Sequence, residues 1–297
     1  MLEFRTITLA DQPWITQALR LSDYPGCEYS FANNMAWRRL SDSKIAAFED
    51  FYICCAFGSE DGTPCFCYPA GEGDHRAVIE EMRRFSEALG HPLVIWNVSP
   101  ERMAWLDAEY SGQFTADENR ESWDYVYLAE QLATLSGRKY HQKRNFLHRF
   151  AAYGAVYTPL TERDFDDCIT LAAQTYNDRL EGDHSGIAEQ FAIDTFFRHF
   201  DALGLHGGVL RIDGRVIAFT IGEPLNSDTF CVHIEKADAS IPGAFAAINQ
   251  SFSAHIRDLG YTYINREEDM GLEGLRKAKE SYHPCKMLEK RMVRFTL

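Results

Sequence analysis

The feature that most restricts the fold of this chain is an internal repeat whose period is about half of the chain. The N-terminal segment FRTITLADQPWITQAL has a counterpart in VYTPLTERDFDDCITLA, where Thr161 and Asp164 take the places of Thr8 and Asp11. Each segment is typical of a strand that leads into a helix. The 297 residues are enough for two cores, since single cores stop growing near ~250 residues. The sequence therefore predicts a duplicated unit.

A β-hairpin is predicted next in each copy, from an apolar run, an Asp-Gly turn and a second apolar run. The turns are Asp61-Gly62 and Asp213-Gly214, and Asp-Gly between apolar runs is a strong hairpin signal. The second copy has an additional predicted strand, Thr229–Lys236, for which the first copy shows no counterpart.

Each copy continues with an amphipathic helix that ends at a Leu-Gly pair and leads into a strand. Gly90 and Gly260 stand where a left-handed residue commonly ends a helix. The apolar stripes have helical spacing; they are Val78, Ile79, Met82, Phe85 and Leu89 in one copy, and Phe245, Ile248, Phe252, Ile256 and Leu259 in the other.

The complete element order of each copy is strand, helix, hairpin, helix, strand, helix, strand, with DYVYLA and KRMVRF as the closing strands. This order predicts an α/β (α+β) fold in which a mixed sheet is flanked by helices. It resembles the GCN5-related N-acetyltransferase fold used in tandem, that is, two acyl-CoA N-acyltransferase-like domains. The predicted limits are 1–134 for the first domain, 135–150 for a basic connecting helix and 151–297 for the second domain.

Charge restricts the partners of the chain. A net charge of -14 argues against DNA as a partner, because affinity for a phosphate backbone depends on clustered Lys and Arg. Two local segments are nevertheless basic, from Leu135 to Phe150 and from Arg276 to Arg294. We therefore expect a discrete anionic ligand rather than a long polymer.

Cysteine and histidine spacing indicates no metal site. The eight cysteines lack the paired C-x2-4-C pattern of zinc sites, and we expect them to be buried, reduced thiols. The histidines, His233 among them, show no spacing typical of a metal triad. No apolar run approaches the ~18 residues that span a bilayer, and no signal peptide is recognised, so the sequence predicts a cytoplasmic protein.

The most unusual segment is NREEDMGLEGLRKAKESYHP, from Asn265 to Pro284. It follows a predicted strand, and ligands of open α/β sheets usually bind at the carboxyl ends of strands. Glu267 or Asp269 could take a proton from an attacking amine or hydroxyl, or hold a cationic aminoacyl group. Alternatively, these acidic residues neutralise the basic residues of the following helix in a solvated loop.

This segment, together with LSGRKYHQKRNFLHRF and PGAFAAINQSF, resembles the C-terminal domain of phosphatidylglycerol lysyltransferases and soluble proteins grouped with it. The resemblance covers nearly the whole chain. It implies a tandem acetyltransferase-like fold related to the aminoacyl-tRNA-dependent peptidoglycan transferases, with the site in the second copy. The functional residues that it implies are Asn265, Glu267, Asp269, Arg276, Lys279 and Tyr282. The chain lacks the integral-membrane portion of the membrane enzymes, so a lipid acceptor is in doubt.

Two candidates, Tyr282 and Gly243, are weighed by resemblance to acetyltransferases of this fold, and a third, Trp37, by its aromatic segment. Tyr282 ends an A-x-x-x-Y pattern that often supplies the acid for a leaving thiolate, although a tyrosine on such a helix is also a common packing residue. Gly243 precedes a helix whose N-terminus could hold a phosphate, but the loop ADASIPGAFA has no basic residue. The corresponding EGDHRAV of the first copy is acidic, so no donor site is expected there. Trp37, in FANNMAW, could line an acceptor pocket or pack against the sheet.

The leading hypothesis is an acyl- or aminoacyltransferase that moves an amino acid from aminoacyl-tRNA to a small hydroxyl or amine acceptor by direct transfer. It needs no metal and no permanently bound cofactor. The alternatives are a coenzyme A-dependent small-amine N-acetyltransferase, with acyl-coenzyme A as co-substrate, and a non-catalytic binding or regulatory module. The predicted catalytic residues are Glu267, Asp269 and Tyr282; the donor-binding residues are Arg138, Lys139, Lys143, Arg144, Gly243, Arg276 and Lys279; the acceptor residues are Asn265 and Trp37.

Overall fold

A computed structural model describes residues 2–177 and 184–296, and the chain divides into two compact units. The first unit consists of residues 1–124, 268–271 and 288–297, and the second of residues 125–267 and 272–287. These units are interleaved in sequence, so they differ from the contiguous limits of 1–134 and 151–297 predicted above.

The first unit contains a six-stranded mixed sheet in the order β1-β2-β3-β4-β13-β5. Its strands are β1 Ser43–Phe48, β2 Phe51–Ala56, β3 Cys65–Cys67, β4 Val94–Val98, β5 Phe114–Glu118 and β13 Arg291–Phe295. Its helices are α1 Gln12–Ser22, α2 Phe31–Trp37, α3 His75–Ala88 and α4 Pro100–Glu109. Strands β3 and β4 are parallel, and the other neighbouring strands are antiparallel.

The second unit contains a seven-stranded sheet in the order β12-β6-β11-β10-β9-β8-β7. Its strands are β6 Asp124–Leu128, β7 Val156–Pro159, β8 His206–Ile212, β9 Arg215–Pro224, β10 Thr229–Ala237, β11 Tyr263–Asn265 and β12 Lys286–Leu288. Its helices are α5 Ala129–Thr134, α6 His141–Phe150, α7 Phe165–Asn177, α8 His184–Arg198, α9 Ala244–Asp258 and α10 Glu273–Glu280. Strands β10 and β11 are parallel, as β3 and β4 are in the first unit.

The two sheets have matching strand orders once the closing strands are exchanged. β13, from the C-terminal end of the chain, pairs antiparallel with β4 of the first sheet, and β6 pairs antiparallel with β11 of the second. The sequence assigned DYVYLA and KRMVRF each to its own copy, and this assignment is wrong. Both sheets offer the same antiparallel slot beside a buried strand, and local periodicity cannot show which closing strand fills it.

The sheet order also corrects the predicted hairpins. β10 was expected to have no counterpart in the first copy. β3 is that counterpart, because β3 pairs in parallel with β4 as β10 pairs in parallel with β11. Asp213-Gly214 joins β8 to β9, whereas Asp61-Gly62 lies between β2 and β3. The two turns are therefore not equivalent. An Asp-Gly pair predicts a local turn, but it does not predict which strands of the sheet that turn connects.

Local signals of the repeat are confirmed. Thr8 and Thr161 each form a capping box with the aspartate three residues later, in which the threonine side chain and the aspartate carboxylate satisfy exposed backbone N–H groups. Gly90 and Gly260 have φ of 82° and 98°, which supports the predicted helix ends. The connecting helix, predicted at 135–150, is shorter: Leu135 is left-handed at the end of α5, and α6 begins at His141.

We expect the exchanged strand β13 to support the first sheet and not the second. Val293 is fully buried in the core of the first unit. Val293→Ala should destabilise the protein by about 1–3 kcal/mol and increase amide hydrogen exchange in β4 and β5. Val209→Ala, at an equally buried position in β8, is the matched control. Faster exchange in β8 and β9 for Val293→Ala would contradict the observed strand order.

Candidate functional site

The candidate site lies in the second unit, where the parallel pair β10 and β11 separates. The two strands pair only from Thr229 to Cys231 and from Tyr263 to Asn265. β10 continues to Ala237, whereas the chain leaves β11 after Asn265 and reaches Glu267 with a left-handed φ of 58°. Beyond the paired part, His233 and Glu235 of β10 contact the residues of this turn, and the point where two parallel strands separate is the usual place for a ligand in an α/β sheet.

One side of the opening holds the His233 cluster, which we define as Glu223, Cys231, His233 and Glu267. Nδ1 of His233 lies 2.8 Å from Oε1 of Glu267, and Nε2 lies 3.0 Å from Oε1 of Glu223. The ring stacks on Phe196 of α8, with 5.3 Å between centroids. Cys231 Sγ donates to the same Glu267 oxygen at 3.9 Å. An irregularity of β10 between Val232 and Ile234 places His233 in this position.

The electrostatics of the His233 cluster favour a protonated imidazole. Burial acts to lower the pKa of His233, but Cys231 and the two carboxylates oppose it, and the pKa lies well above its ordinary value. A protonated imidazole between two carboxylates leaves one negative charge in the cluster. The Glu267 side chain is 16% exposed, so this charge can meet a cationic or proton-bearing ligand.

Asn265 holds the backbone of this site. Its side chain is fully buried, and its Oδ1 accepts a hydrogen bond of 2.7 Å from the backbone N–H of Glu267. The sequence predicted Asn265 as an acceptor-binding residue; the structure places it where it fixes the left-handed turn that aims Glu267.

The other side of the opening holds the Arg266 cluster, which we define as Lys143, Glu235, Asn249, Arg266 and Tyr282. Nη2 of Arg266 donates to Oε1 of Glu235 at 2.9 Å, and Nδ2 of Asn249 donates to Oε2 of Glu235 at 3.1 Å. Lys143 Nζ lies 3.8 Å from the centroid of the Tyr282 ring. Nη1 of Arg266 and Oδ1 of Asn249 are buried, with no hydrogen-bond partner among the described residues.

The Arg266 cluster is therefore cationic and incompletely satisfied. Burial, with the nearby charge of Arg266, lowers the pKa of Lys143 to about 8, although Glu235 opposes this. Burial raises the pKa of Tyr282 to about 12, so its hydroxyl is protonated at neutral pH. Two cations face one carboxylate, and a buried arginine N–H without a partner is costly. An anionic group bound here would balance the excess positive charge and accept a hydrogen bond from the arginine N–H.

Several predicted site residues have structural partners instead. Asp269 belongs to the first unit, where it is fully buried beside Arg120 at 3.3 Å and accepts from the N–H of Gly271. Arg144 donates to the carbonyls of Leu135 and Gly137 at the end of α5. Such contacts stabilise a helix end and leave Arg144 committed to the fold.

The lysines among the predicted donor residues also have partners. Nζ of Lys279 is buried and donates to the backbone carbonyl of Arg266 at 2.6 Å, so it supports the Arg266 cluster from beneath. Lys139 donates to Gln131 at 3.2 Å. Arg138 is exposed, and Arg276 is half-buried on α10.

Gly243 is required by packing. It precedes α9 with φ of 92°, and a Cβ at this position would lie 2.7 Å from the carbonyl oxygen of Phe146 in α6. The close approach of α6 explains why a glycine is needed at this position. The predicted role in phosphate binding is not required to explain it. Trp37 lies half-buried at the end of α2 in the first unit.

Sequence reasoning missed His233, Glu223, Arg266 and Glu235. The strand TFCVHIEK was recognised, and a polar residue at every second position of a buried strand is a usable signal. The partners of His233 and Glu235, however, come from β9, α9 and the turn after β11. Only the folded sheet brings these segments together.

Two groups of described residues bring metal-ligating atoms close together. In the second unit they are Cys231, His233 and Glu267, and in the first unit Cys27, Asp124 and Glu268; within each group the ligating atoms lie within 4.8 Å of one another. In the first-unit group, Asp124 already binds the buried ammonium of Lys290 at 2.7 Å. In the second-unit group, Glu267 is engaged by His233. In both groups a cationic side chain of the protein, Lys290 or the protonated His233, already occupies the carboxylate.

Comparisons with known proteins identify relatives over the whole length of the chain. The family model described as "Phosphatidylglycerol lysyltransferase, C-terminal" matches residues 19–294. A conserved protein of unknown function from Bacteroides thetaiotaomicron VPI-5482 has 40% identity and a TM-score of 0.92, with 100% of both chains covered. No curated protein matches the chain in a sequence comparison.

Two more distant solved structures share the fold. The C-terminal domain of a putative lysylphosphatidylglycerol synthetase from Agrobacterium fabrum has 16% identity and a TM-score of 0.69, covering 97% of this chain and 92% of that one. L-PGS from Bacillus licheniformis has 16% identity and a TM-score of 0.65, covering 88% and 86%. The predicted fold class is confirmed.

Within residues 2–177 and 184–296, no helix has the length and apolar character needed to cross a membrane.

The pKa of His233 predicts a pH-dependent contribution to stability. The pKa is raised in the folded state, so the stabilisation is complete below the unfolded value of about 6.5 and is lost as pH rises towards the folded value. Urea unfolding should show a larger stability difference between wild type and His233→Gln at pH 6 than at pH 9. A difference that grows with pH would contradict a protonated His233.

We expect Asp269 to act mainly in stability. Asp269→Asn removes the charge that faces Arg120 inside the first unit, and it should lower the free energy of unfolding by about 1.5–3 kcal/mol. Asp117→Asn is the control, because Asp117 is exposed on β5. A fully stable Asp269→Asn protein with lost activity would instead support the catalytic role predicted from the sequence.

Proposed function

Because this chain belongs to the phosphatidylglycerol lysyltransferase C-terminal family, we propose that it is an acyl- or aminoacyltransferase whose second unit carries the active site. The observation that carries this proposal is the pair of clusters at the separation of β10 and β11. One cluster keeps a partly exposed carboxylate, and the other keeps a buried arginine N–H that has no hydrogen-bond partner within residues 2–177 and 184–296. A transferase needs both kinds of group, one for an acceptor and one for an anionic donor.

Glu267 is the proposed proton acceptor. An amine acceptor arrives protonated near neutral pH, and the remaining negative charge of the His233 cluster can hold it and take its proton. The amine or hydroxyl then attacks the donor carbonyl carbon, the new C–N or C–O bond forms, and the bond to the leaving group breaks. The leaving oxygen or sulfur must receive a proton, for which the hydroxyl of Tyr282 is the proposed source. The attacking nitrogen or oxygen loses the proton that it still carries, and this proton restores Tyr282.

Arg266 and Lys143 are the proposed donor-binding residues. Arginine N–H groups match phosphate oxygens well, and Nη1 of Arg266 is directed to no protein acceptor in the described part of the chain. Arg138, Lys139, Arg276 and Lys279 remain predicted donor contacts; of these, the exposed Arg138 is the one best placed to meet a larger donor.

The packing of Gly243 supports aminoacyl-tRNA over coenzyme A as the donor. Ala244, Ala246 and Ala247 at the start of α9 are buried, and α6 lies directly against Gly243. This packing of α6 at the start of α9 disfavours a pyrophosphate at the first turn of α9. Arg266 and Lys143 are therefore the proposed contacts of the donor phosphate, and a small hydroxyl or amine compound is the proposed acceptor.

Glu267→Gln tests the catalytic proposal. The amide keeps the size of the side chain and can bind His233, but it cannot accept a proton, so turnover should fall about 10²–10⁴-fold. The control is Glu273→Gln, which removes a carboxylate from the exposed start of α10. Transfer from aminoacyl-tRNA to a panel of amines and alcohols is measured together with unfolding.

Equal activity of Glu267→Gln and wild type would remove Glu267 from the mechanism. A loss of turnover that only follows a loss of folded protein would make Glu267 a structural partner of His233. Absence of transfer by the wild-type protein with both aminoacyl-tRNA and acyl-coenzyme A would favour the non-catalytic module.

Lys143 should make donor affinity depend on pH. Its pKa of about 8 means that the ammonium is present at pH 7 and largely lost at pH 9, so affinity for the anionic donor should decline over this range. Lys143→Met should bind the donor about tenfold more weakly at pH 7 and should lose this pH dependence, with a shallower dependence on salt. Lys277→Met is the control, because Lys277 is exposed and paired with Glu273. An unchanged pH profile in Lys143→Met would contradict the assignment.

A further inference from the structure

Two cysteines face each other across neighbouring strands of the first sheet. β2 and β3 are antiparallel, and Cys55 pairs with Phe66 and Ala56 with Cys65. Extending this register by one residue places Cys54 opposite Cys67. Directly opposite residues of antiparallel strands have Cα atoms about 4.5–5.5 Å apart, which is within the range of about 4.4–6.8 Å that a disulfide requires.

The two thiols also share a cavity. Cys54 and Cys67 line a small space of about 10 Å³ in the first unit. The other residues that line this space are Leu19, Glu28, Tyr29, Tyr52, Tyr68 and Ala70. All eight cysteines are free in the structure, so the pair is present as two thiols.

The two thiols differ in acidity. Contact with the Cys67 thiol lowers the pKa of Cys54, although burial opposes this. The pKa of Cys67 is raised by the same contact and by burial. A cysteine with thiolate character beside a second thiol is the usual arrangement of a redox-active pair.

We propose that Cys54 and Cys67 form a reversible intramolecular disulfide when the protein meets a peroxide. The Cys54 thiolate attacks one peroxide oxygen and the O–O bond breaks. The hydroxide that leaves takes up the proton that the Cys54 thiol released, so a sulfenic acid and one water are produced. Cys67 then attacks the sulfenic sulfur, the S–S bond forms, and a second water leaves. Two thiols are oxidised and one hydrogen peroxide is reduced, and a dithiol such as dithiothreitol reverses the reaction.

Neighbouring cysteines provide matched controls. Cys55 and Cys65 lie on the same two strands, but their opposite residues are Phe66 and Ala56. Burial raises the pKa of both thiols. The proposal therefore predicts that neither is needed for the disulfide.

The test uses the full chain with Cys285→Ser, which removes an exposed thiol that could link two molecules. Stoichiometric hydrogen peroxide at pH 7.5, followed by thiol titration in denaturant, should reduce the count from seven thiols, one fewer than the eight of the natural chain, to five. Non-reducing peptide mapping should recover the 54–67 link, and dithiothreitol should restore all seven. Added Cys54→Ser or Cys67→Ser should each abolish the link, whereas Cys55→Ser should leave it unchanged.

A count that stays at seven, a link between other cysteines, or loss of the link in Cys55→Ser would overturn the proposal. If Cys54→Ser fails to fold, Cys67→Ser and the peptide map of the parent protein decide alone. The readout contains no transfer assay, so it is independent of the function proposed above.

Discussion

The candidate site depends on one feature of the second sheet, the early end of the parallel pairing between β10 and β11. Pairing stops at Cys231 and Asn265, while β10 continues to Ala237. His233 and Glu235 therefore meet residues of the following turn instead of a paired strand. Asn265 fixes that turn through its hydrogen bond to the N–H of Glu267. The fold in this way places acidic and basic groups at one opening.

The first unit lacks this feature in its described residues, although its sheet has the same order. β3 has only three residues, Cys65–Cys67, and all of them pair with β4. The chain after β4 enters α4 at once, with Ser99 as its cap. β3, which corresponds to β10, does not extend beyond the parallel pair, so the described residues of the first unit form no equivalent opening.

The sequence predicted the features that depend on neighbouring residues, but it did not predict the contacts between distant segments. Capping boxes at Thr8 and Thr161, helix-ending glycines and strand periodicity are properties of neighbouring residues, and they could be predicted. The exchange of β6 and β13 could not, because both strands fit the same slot. Glu267 was identified from its place after a strand, but its partner His233 is separated from it by the whole of α9.

The most direct measurement of the central claim is amide hydrogen exchange with donor added. Aminoacyl-tRNA, coenzyme A and acyl-coenzyme A are titrated in parallel against the wild-type protein. The account predicts that aminoacyl-tRNA protects residues 231–237 and 263–268, together with α6, and that both coenzyme A compounds protect them less. Protection confined to β1–β4 of the first unit, or protection of the start of α9 by coenzyme A alone, would contradict it.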